Sequence, residues 1–462
     1  MHTRRTHAHP FAPTRGRRRT GARRMAAPRA AACVAAAALA LAPDAPGAQL
    51  SPVERRIARA AGARTEEAVA FLERVVNVNS GTLNVEGVRE VGRLFADELR
   101  ALGFETRWIP MDPVNRAGHL LAERRGGRGP RILLLGHLDT VFEKDHPFQR
   151  FAREDTIAYG PGVDDMKGGC VVLLYALRAL HDAGALRDLD IVVLLTGDEE
   201  DAGRPTEVSR APMVEAARRS DIVLGFEGMV GGLNTATIAR RGISGWTLTV
   251  RGREGHSSQI FTEPYGAGAA FEAARILNAF YEELRGEPDL TVNPGLLVGG
   301  TQAELDAEAQ RGTALGKTNV IAQTVVVAGD LRFLHAEEEA RARERMREIV
   351  ARNLPGTRAE IVFEDGYPAM SPKPENEALR LRLDRVSRDL GLGPVEPLDP
   401  RRRGAGDIAF VAHMRPALDG LGPLGGGAHS AEEWIDLRSI PIAVKRAAVL
   451  LHRLARRPDA AN

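Results

Sequence analysis

Residues 132–140 read Ile-Leu-Leu-Leu-Gly-His-Leu-Asp-Thr, an apolar run that ends in an imidazole and a carboxylate. A short continuous run of aliphatic residues is typical of a strand buried on both faces of a parallel sheet. Similar runs recur at residues 191–195 and 222–224, and a helical pattern over residues 165–183 separates the first two runs. The alternation predicts an α/β domain with a mainly parallel sheet and helices on both faces.

Side chains that can bind metals follow each of these runs. His137 and Asp139 lie two residues apart, so they share one face of the first strand. Glu199 and Glu200 end the second strand, and Glu227 ends the third. Ligand sites in parallel sheets gather at the carboxyl ends of the strands, so we expect these five residues to lie close together.

Two glycine-rich loops carry further candidate ligands. Residues 160–168, Gly-Pro-Gly-Val-Asp-Asp-Met-Lys-Gly, place Asp164 and Asp165 just before a helix. Asp165 is a candidate to bridge two metal ions, although the pair could instead cap the helix. His429 follows Gly-Gly-Gly-Ala, a loop flexible enough to return a distant imidazole to the site. Mixed imidazole and carboxylate ligands indicate a two-zinc hydrolase of amide bonds, with cobalt or manganese as alternatives.

The pattern changes near residue 245. Alternation over residues 246–250 predicts a strand with one solvated face, and helices and strands then follow in the order β-α-β-β-α-β. This order indicates a ferredoxin-like α+β domain inserted into the first domain, as expected for a 462-residue chain. The predicted organisation is a catalytic domain formed by residues 49–243 together with residues 366–462, interrupted by the insert over residues 244–365.

Residues 1–48 have the pattern of an export signal. Residues 1–29 are rich in arginine and lack acidic residues, and the apolar run over 30–42 is too short for a stable membrane anchor. We therefore predict a periplasmic or secreted protein, with a nucleic-acid-binding tail as the weaker alternative. The balance of 63 basic and 61 acidic residues provides no overall field for nucleic acid. After cleavage Cys170 alone would remain, which excludes an intrachain disulfide.

These motifs together resemble a family of zinc-dependent exopeptidases and deacylases. The family includes glutamate carboxypeptidase, aminoacylase, acetylornithine deacetylase and succinyl-diaminopimelate desuccinylase. The resemblance covers nearly all of residues 66–456 and is strongest at residues 136–141, 160–168 and 196–200. Residues 77–82 and 422–430 point to the glutamate carboxypeptidase branch.

The resemblance implies roles for individual residues. Asp165 would bridge two zinc ions, one also held by His137 and Glu227, the other by Glu200 and His429. A cis peptide bond would follow Asp165. Glu199 would be the general base, and Asp139 would orient His137. His256 would stabilise the oxyanion in the active site of the partner subunit. Asn319 and Arg332 would hold the substrate. The role of His256 implies a homodimer formed through the insert.

The substrate class stays open at this stage. The leading expectation is a carboxypeptidase that releases a C-terminal amino acid from a small peptide, and the nearest alternative is an N-acyl-amino-acid amidohydrolase. A two-metal phosphoesterase and a non-catalytic binding protein are weaker alternatives. The resemblance implies an arginine before a proline in glutamate-preferring relatives. This chain has Tyr367-Pro368 at that place, which argues against a preference for acidic C-terminal residues.

Overall fold

The computed structural model describes residues 50–306 and 311–456. The predicted leader over residues 1–48 lies outside these ranges, and export stays a prediction. Within the described ranges, no helix has both the length and the apolar character needed to cross a bilayer.

The regular elements follow one another in mixed α and β order. The helices are α1 (Pro52–Ala63), α2 (Thr65–Val76), α3 (Val85–Ala101), α4 (Lys167–Asp182), α5 (Thr206–Arg218), α6 (Gly268–Leu284), α7 (Ala336–Val350), α8 (Pro374–Asp389), α9 (Ala409–Ala412) and α10 (Ser439–Leu454). The strands are β1 (Glu105–Met111), β2 (Arg116–Arg124), β3 (Arg128–His137), β4 (Ala152–Glu154), β5 (Ile157–Tyr159), β6 (Leu189–Thr196), β7 (Ile222–Gly225), β8 (Thr235–Ala236), β9 (Gly242–Arg251), β10 (Thr291–Gly300), β11 (Gln302–Asp306), β12 (Arg311–Leu315), β13 (Thr324–Phe333), β14 (Arg358–Asp365), β15 (Glu396–Pro397), β16 (Ala417–Leu418), β17 (Gly425–Gly426) and β18 (Trp434–Asp436).

The main sheet has six strands in the order β1-β2-β6-β3-β7-β16. Strand β3 pairs in parallel with β6 on one side and with β7 on the other, and β16 pairs in parallel with β7. Strands β1 and β2 run antiparallel at one edge. The predicted parallel sheet is therefore confirmed, and the three apolar runs of the sequence are adjacent strands at its centre.

Helices cover both faces of this sheet. Along β3, Ile132 and Leu134 face a large core that also contains side chains of α2, α3, α4 and α10. Leu133 and Leu135 face the opposite core, together with Met213 of α5 and with side chains of α9. Because successive side chains of a strand point to opposite faces, a continuous apolar run is what this doubly covered sheet requires.

A second sheet lies within residues 242–365. Its four strands are antiparallel in the order β10-β13-β9-β14, and α6 and α7 pack on one face. The order of elements agrees with the predicted β-α-β-β-α-β pattern, with the β11–β12 hairpin as an addition. Two backbone pairings join the segments entering and leaving this sheet, Ile243 with Tyr367 and Arg240 with Met370. The domain boundaries at 244 and 365, and the insert's role in dimerisation, stay predictions.

Two local expectations differ from the structure. The apolar pattern over residues 52–76 predicts one helix. The structure has two helices there, α1 and α2, which are separated at Arg64. The Thr65 hydroxyl donates to the carbonyl of Gly62, a local bond that competes with helix continuation. The helix-capping interpretation of Asp164 and Asp165 is also wrong, because α4 has Met166 at its N-cap without a side-chain cap.

Close packing of α4 against the end of β7 leads to a prediction on stability. A Cβ atom added at Gly169 would lie 1.7 Å from the carbonyl oxygen of Phe226, so backbone must move. We expect Gly169→Ala to lower the free energy of unfolding by about 3 kcal/mol or more, measured by urea denaturation.

The matched control is Gly62→Ala in α1. A Cβ there would meet the flexible side chain of Lys445 at 3.4 Å, which is ordinary contact. Alanine favours helix over glycine by up to about 1 kcal/mol, so this variant should be as stable as the unaltered protein or more stable. Equal effects of the two substitutions would contradict the packing described here.

Candidate metal centre

Polar residues lie at the carboxyl ends of the three central strands, on the same side of the main sheet. His137 is the last residue of β3, Glu199 and Glu200 follow β6, and Glu227 follows β7. The parallel pairing of these strands places their carboxyl ends together.

Asp165 reaches this edge from the turn that precedes α4. The turn begins after β5, and the bond between Asp165 and Met166 is cis, as the sequence resemblance implies. His429 reaches the same place from the loop between β17 and β18, with a φ of 64°. A non-glycine residue in the left-handed region is uncommon and costs backbone energy, which is typical of residues held for function.

The two carboxylate oxygens of Asp165 face different imidazoles. Oδ1 lies 3.0 Å from Nε2 of His137, and Oδ2 lies 3.3 Å from Nε2 of His429. Each imidazole also approaches a second carboxylate, His137 that of Glu227 at 3.9 Å and His429 that of Glu200 at 3.1 Å. The structure therefore brings all five predicted metal-binding residues together.

These residues form two groups that could each hold a metal ion. One group is His137, Asp165 and Glu227, and the other is Asp165, Glu200 and His429. Within each group the potential ligand atoms lie within 4.8 Å of one another. Nitrogen and oxygen donors in such sets suit zinc and related divalent cations, so the chemistry of the residues fits two ions that share Asp165.

The charges of the cluster also favour cations. Burial, followed by the negative charge of Asp165, raises the pKa of Glu227 and raises that of Glu200 to about 8. Burial would raise the pKa of Asp165 itself, but hydrogen bonds from the two imidazoles lower it. Hydrogen bonds to Asp165 and Glu200 raise the pKa of His429 to about 11. A bound divalent cation would supply positive charge that several buried carboxylates need in order to ionise together.

Asp139 organises more of the site than the sequence indicates. His137 Nδ1 lies 3.1 Å from the backbone carbonyl oxygen of Asp139 and 3.4 Å from its carboxylate. The buried carboxylate also accepts the amide N–H groups of Glu199 and Glu200, both at 3.1 Å, and the hydroxyl of Thr82 at 2.7 Å. Asp139 therefore fixes the Glu199–Glu200 turn relative to the imidazole, in addition to its predicted contact with His137.

Glu199 stands apart from both candidate metal groups. Its carboxylate belongs to neither set of three ligands among the described residues. Burial raises the pKa of this carboxyl well above its usual range, and the negative charges of Asp407 and Glu200 raise it further against the opposing effect of His137. A separate buried carboxyl with a raised pKa has the properties of a proton acceptor and donor.

A buried arginine that the sequence does not single out fixes the other side of the Glu199 turn. Arg210 donates to the Asp198 carboxylate at 2.7 Å, pairs with Asp407 at 2.8 Å and donates to the Tyr367 hydroxyl at 2.8 Å. The same hydroxyl donates to the backbone carbonyl of Glu199. Tyr367 follows the last strand of the second sheet, so it links that sheet to the candidate base.

The three residues predicted to contact substrate lie outside this cluster. His256 and Asn319 are exposed and lie in loops of the second sheet. The two loops are joined by a hydrogen bond of 2.9 Å from the amide of Ser257, next to His256, to the carbonyl of Asn319. Arg332 lies on β13, where its Nε donates to Asp330 at 2.9 Å. Their predicted roles therefore stay predictions.

The sequence is similar to those of known proteins over most of its length. Residues 133–453 match the profile of Peptidase family M20/M25/M40. The chain is 27% identical to carboxypeptidase G2 of Pseudomonas sp. (strain RS-16) over 388 residues, which cover 83% of this chain and 88% of the relative. It is 25% identical to succinyl-diaminopimelate desuccinylase of Nitrosospira multiformis over 390 residues, 81% of this chain and 94% of the relative.

Solved structures share the fold at lower sequence identity. The aminopeptidase PepT of Bacillus cereus superposes with a TM-score of 0.68 at 17% identity, covering 85% of this chain and 99% of that chain. The YXEP protein of Bacillus subtilis, described as a dinuclear metal-binding peptidase, gives a TM-score of 0.60 at 14% identity, with 85% and 99% coverage. The mixed α/β architecture is therefore shared with peptidases of known structure.

The shared position of Asp165 leads to a prediction on metal content. Asp165→Ala removes a ligand from both groups, whereas Glu227→Ala removes a ligand from one group. We expect the first variant to lose nearly all bound metal and the second to retain about one ion per chain. Elemental analysis of the purified proteins measures this directly, and an Asp165→Ala variant with unaltered metal content would contradict the assignment.

Proposed function

Because this chain belongs to Peptidase family M20/M25/M40 and is a hydrolytic enzyme, we propose that it is a two-zinc carboxypeptidase. It releases a C-terminal amino acid from small peptides by hydrolysis of the amide bond. The observation that carries the proposal is the arrangement of Asp165, whose two oxygens each face one imidazole. Cobalt or manganese could occupy the same donors.

The residues divide the work of hydrolysis between them. Zinc ions held by these residues would lower the pKa of a water molecule and would polarise the scissile carbonyl. Glu199 accepts the proton of the attacking water and delivers it to the departing amine. Asp139 and Arg210 hold the Glu199 turn from opposite sides, so that the carboxylate keeps one orientation during the transfer.

The substrate is held by the second sheet. A cavity of about 730 Å³ lies between Glu200 and the uncovered face of that sheet. Arg332 uses Nε for Asp330, and within the described residues no hydrogen-bond partner engages its terminal nitrogens. Arg332 does not itself line the cavity, but it pairs with Asp330, which does. Its terminal nitrogens can receive a substrate α-carboxylate in a bidentate contact, and Asn319, also outside the lining, is the second proposed holding residue.

The same cavity argues against glutamate as the leaving residue. Its wall contains the carboxylates of Asp201, Asp330 and Glu364, and Arg204 is the arginine that lines it. The family resemblance implies an arginine at the position of Tyr367 in glutamate-preferring relatives, and this chain lacks that cation. We therefore propose a neutral or basic C-terminal residue, in contrast to the glutamate-type substrate that the overall resemblance favours.

The protein is proposed to act as a homodimer through the second sheet. Large apolar side chains there are exposed, among them Phe271 and Tyr281 of α6 at 53% and 58%, and Leu297 of β10 at 54%. Strand β10 is an edge strand. Exposed apolar side chains beside an edge strand are typical of association surfaces, and a partner would bring His256 to the opposite active site.

Export through the leader over residues 1–48 completes the proposal, with the mature enzyme in the periplasm or outside the cell. The alternative activity is deacylation of N-acyl amino acids at the same centre. The 25% identity to a succinyl-diaminopimelate desuccinylase supports this alternative. Both reactions cleave an amide bond and leave the roles of Glu199 and Asp165 unchanged.

A substrate panel on zinc-loaded protein tests the proposal. We expect release of a neutral or basic C-terminal amino acid from dipeptides, with weaker activity on peptides that end in glutamate and on acyl amino acids. Product identification by mass spectrometry distinguishes these classes. Hydrolysis of phosphate esters without hydrolysis of amides would contradict the proposal.

The control for the panel is Glu199→Gln. Loss of the proton acceptor should lower kcat by about 10²–10⁴-fold, while elemental analysis should still find two zinc ions. A variant with normal kcat would remove Glu199 from the mechanism.

The role of His256 in the partner subunit can be tested with mixed dimers. His256→Ala and Glu199→Gln subunits with different affinity tags are co-expressed, and mixed dimers are purified through both tags. One of the two active sites then has both residues intact, so we expect about half of the unaltered activity. Each variant alone should be nearly inactive, because a lost oxyanion donor costs about 10²–10³-fold in kcat.

Inactive mixed dimers would show that His256 acts within its own subunit, and a fully active His256→Ala variant would show that His256 has no catalytic role. A fully active monomer by light scattering would contradict the proposed dimer.

A further inference from the structure

A buried glutamate lies beneath the turn that presents Asp165. Glu433 is 1% exposed and lies four residues after His429, at the end of the same loop. Its carboxylate accepts three backbone N–H groups of the turn, from Gly162 at 3.0 Å, Asp164 at 2.8 Å and Asp165 at 3.0 Å. No local pattern in the sequence indicates a function for Glu433.

The backbone of Glu433 is fixed to both segments as well. Its carbonyl accepts the amide of Gly160 at 3.3 Å, and its own amide donates to Ser430, next to His429, at 3.1 Å. Strand β18, which begins at the next residue, pairs with β5, which ends just before the turn. One residue therefore joins the two loops that supply Asp165 and His429.

We propose that Glu433 is a positioning residue for the metal centre, which orients the shared ligand Asp165 and the His429 loop for both ions. The inference rests on the proposed two-metal function. A carboxylate that accepts several N–H groups forms strong charge-assisted hydrogen bonds. Three such bonds within one turn leave the Asp165 side chain little freedom to move away from the two imidazoles.

Glutamine cannot reproduce this arrangement. Oε1 of Glu433 accepts from Asp164 and Asp165, and Oε2 accepts from Gly162. In Glu433→Gln one of these acceptors becomes an NH₂ donor that faces a backbone N–H. The turn must then shift or lose hydrogen bonds, although the side chain keeps nearly the same volume.

The test compares zinc affinity in two neighbouring variants by competition with a chelator. Glu432 is exposed, so Glu432→Gln is a matched control with the same change of charge. We expect Glu433→Gln to bind both zinc ions about 10–100-fold more weakly, as for other residues that orient metal ligands. Glu432→Gln should bind zinc like the unaltered protein.

A merely structural role predicts a different outcome. It would lower the unfolding temperature by the same amount with and without zinc, whereas the proposed role reduces the additional stability that zinc provides. Unchanged zinc affinity in a folded Glu433→Gln protein would overturn the inference. Absence of zinc binding by the unaltered protein would instead contradict the proposed function itself.

A second variant covers the case in which Glu433→Gln does not fold. Glu433→Asp keeps the charge but is shorter by one methylene group, so it can keep some of the three hydrogen bonds. We expect Glu433→Asp to bind zinc measurably, but more weakly than the unaltered protein does. Affinity equal to that of the unaltered protein would overturn the inference.

Discussion

The structure depends on the placement of one carboxylate between two imidazoles. Asp165 directs one oxygen to His137 and the other to His429, and two further carboxylates complete the surroundings. Such a concentration of buried acidic groups is unfavourable without compensating positive charge. On the proposed account two divalent cations supply that charge, and the conformation of the surrounding loops serves to hold their ligands.

The fold meets this requirement by fixing each ligand-bearing loop from a distant segment of the chain. Asp139 accepts the amides of the Glu199 turn, Arg210 holds the preceding residue of that turn, and Glu433 accepts three amides of the Asp165 turn. The Tyr367 hydroxyl adds a contact from the second sheet to the carbonyl of Glu199. The position of the second sheet and the orientation of the candidate base are therefore linked by a direct hydrogen bond.

Much of this arrangement could be predicted because its signals are local. Strands β3, β6 and β7 are continuous apolar runs, and the residues that follow them carry the ligand chemistry. The supporting contacts could not be predicted, since they join distant segments without a local pattern. Arg210 and Tyr367 are 157 positions apart, and Glu433 and Asp164 are 269 apart. A periodicity argument also does not detect the break between α1 and α2 at Arg64.

Anomalous diffraction from crystals of the zinc-loaded protein, collected above and below the zinc edge, tests the central claim most directly. The account predicts two zinc peaks per chain, one beside His137 and Glu227 and one beside Glu200 and His429, with Asp165 in contact with both. Zinc peaks elsewhere, or a single ion that Asp165 does not contact, would contradict it.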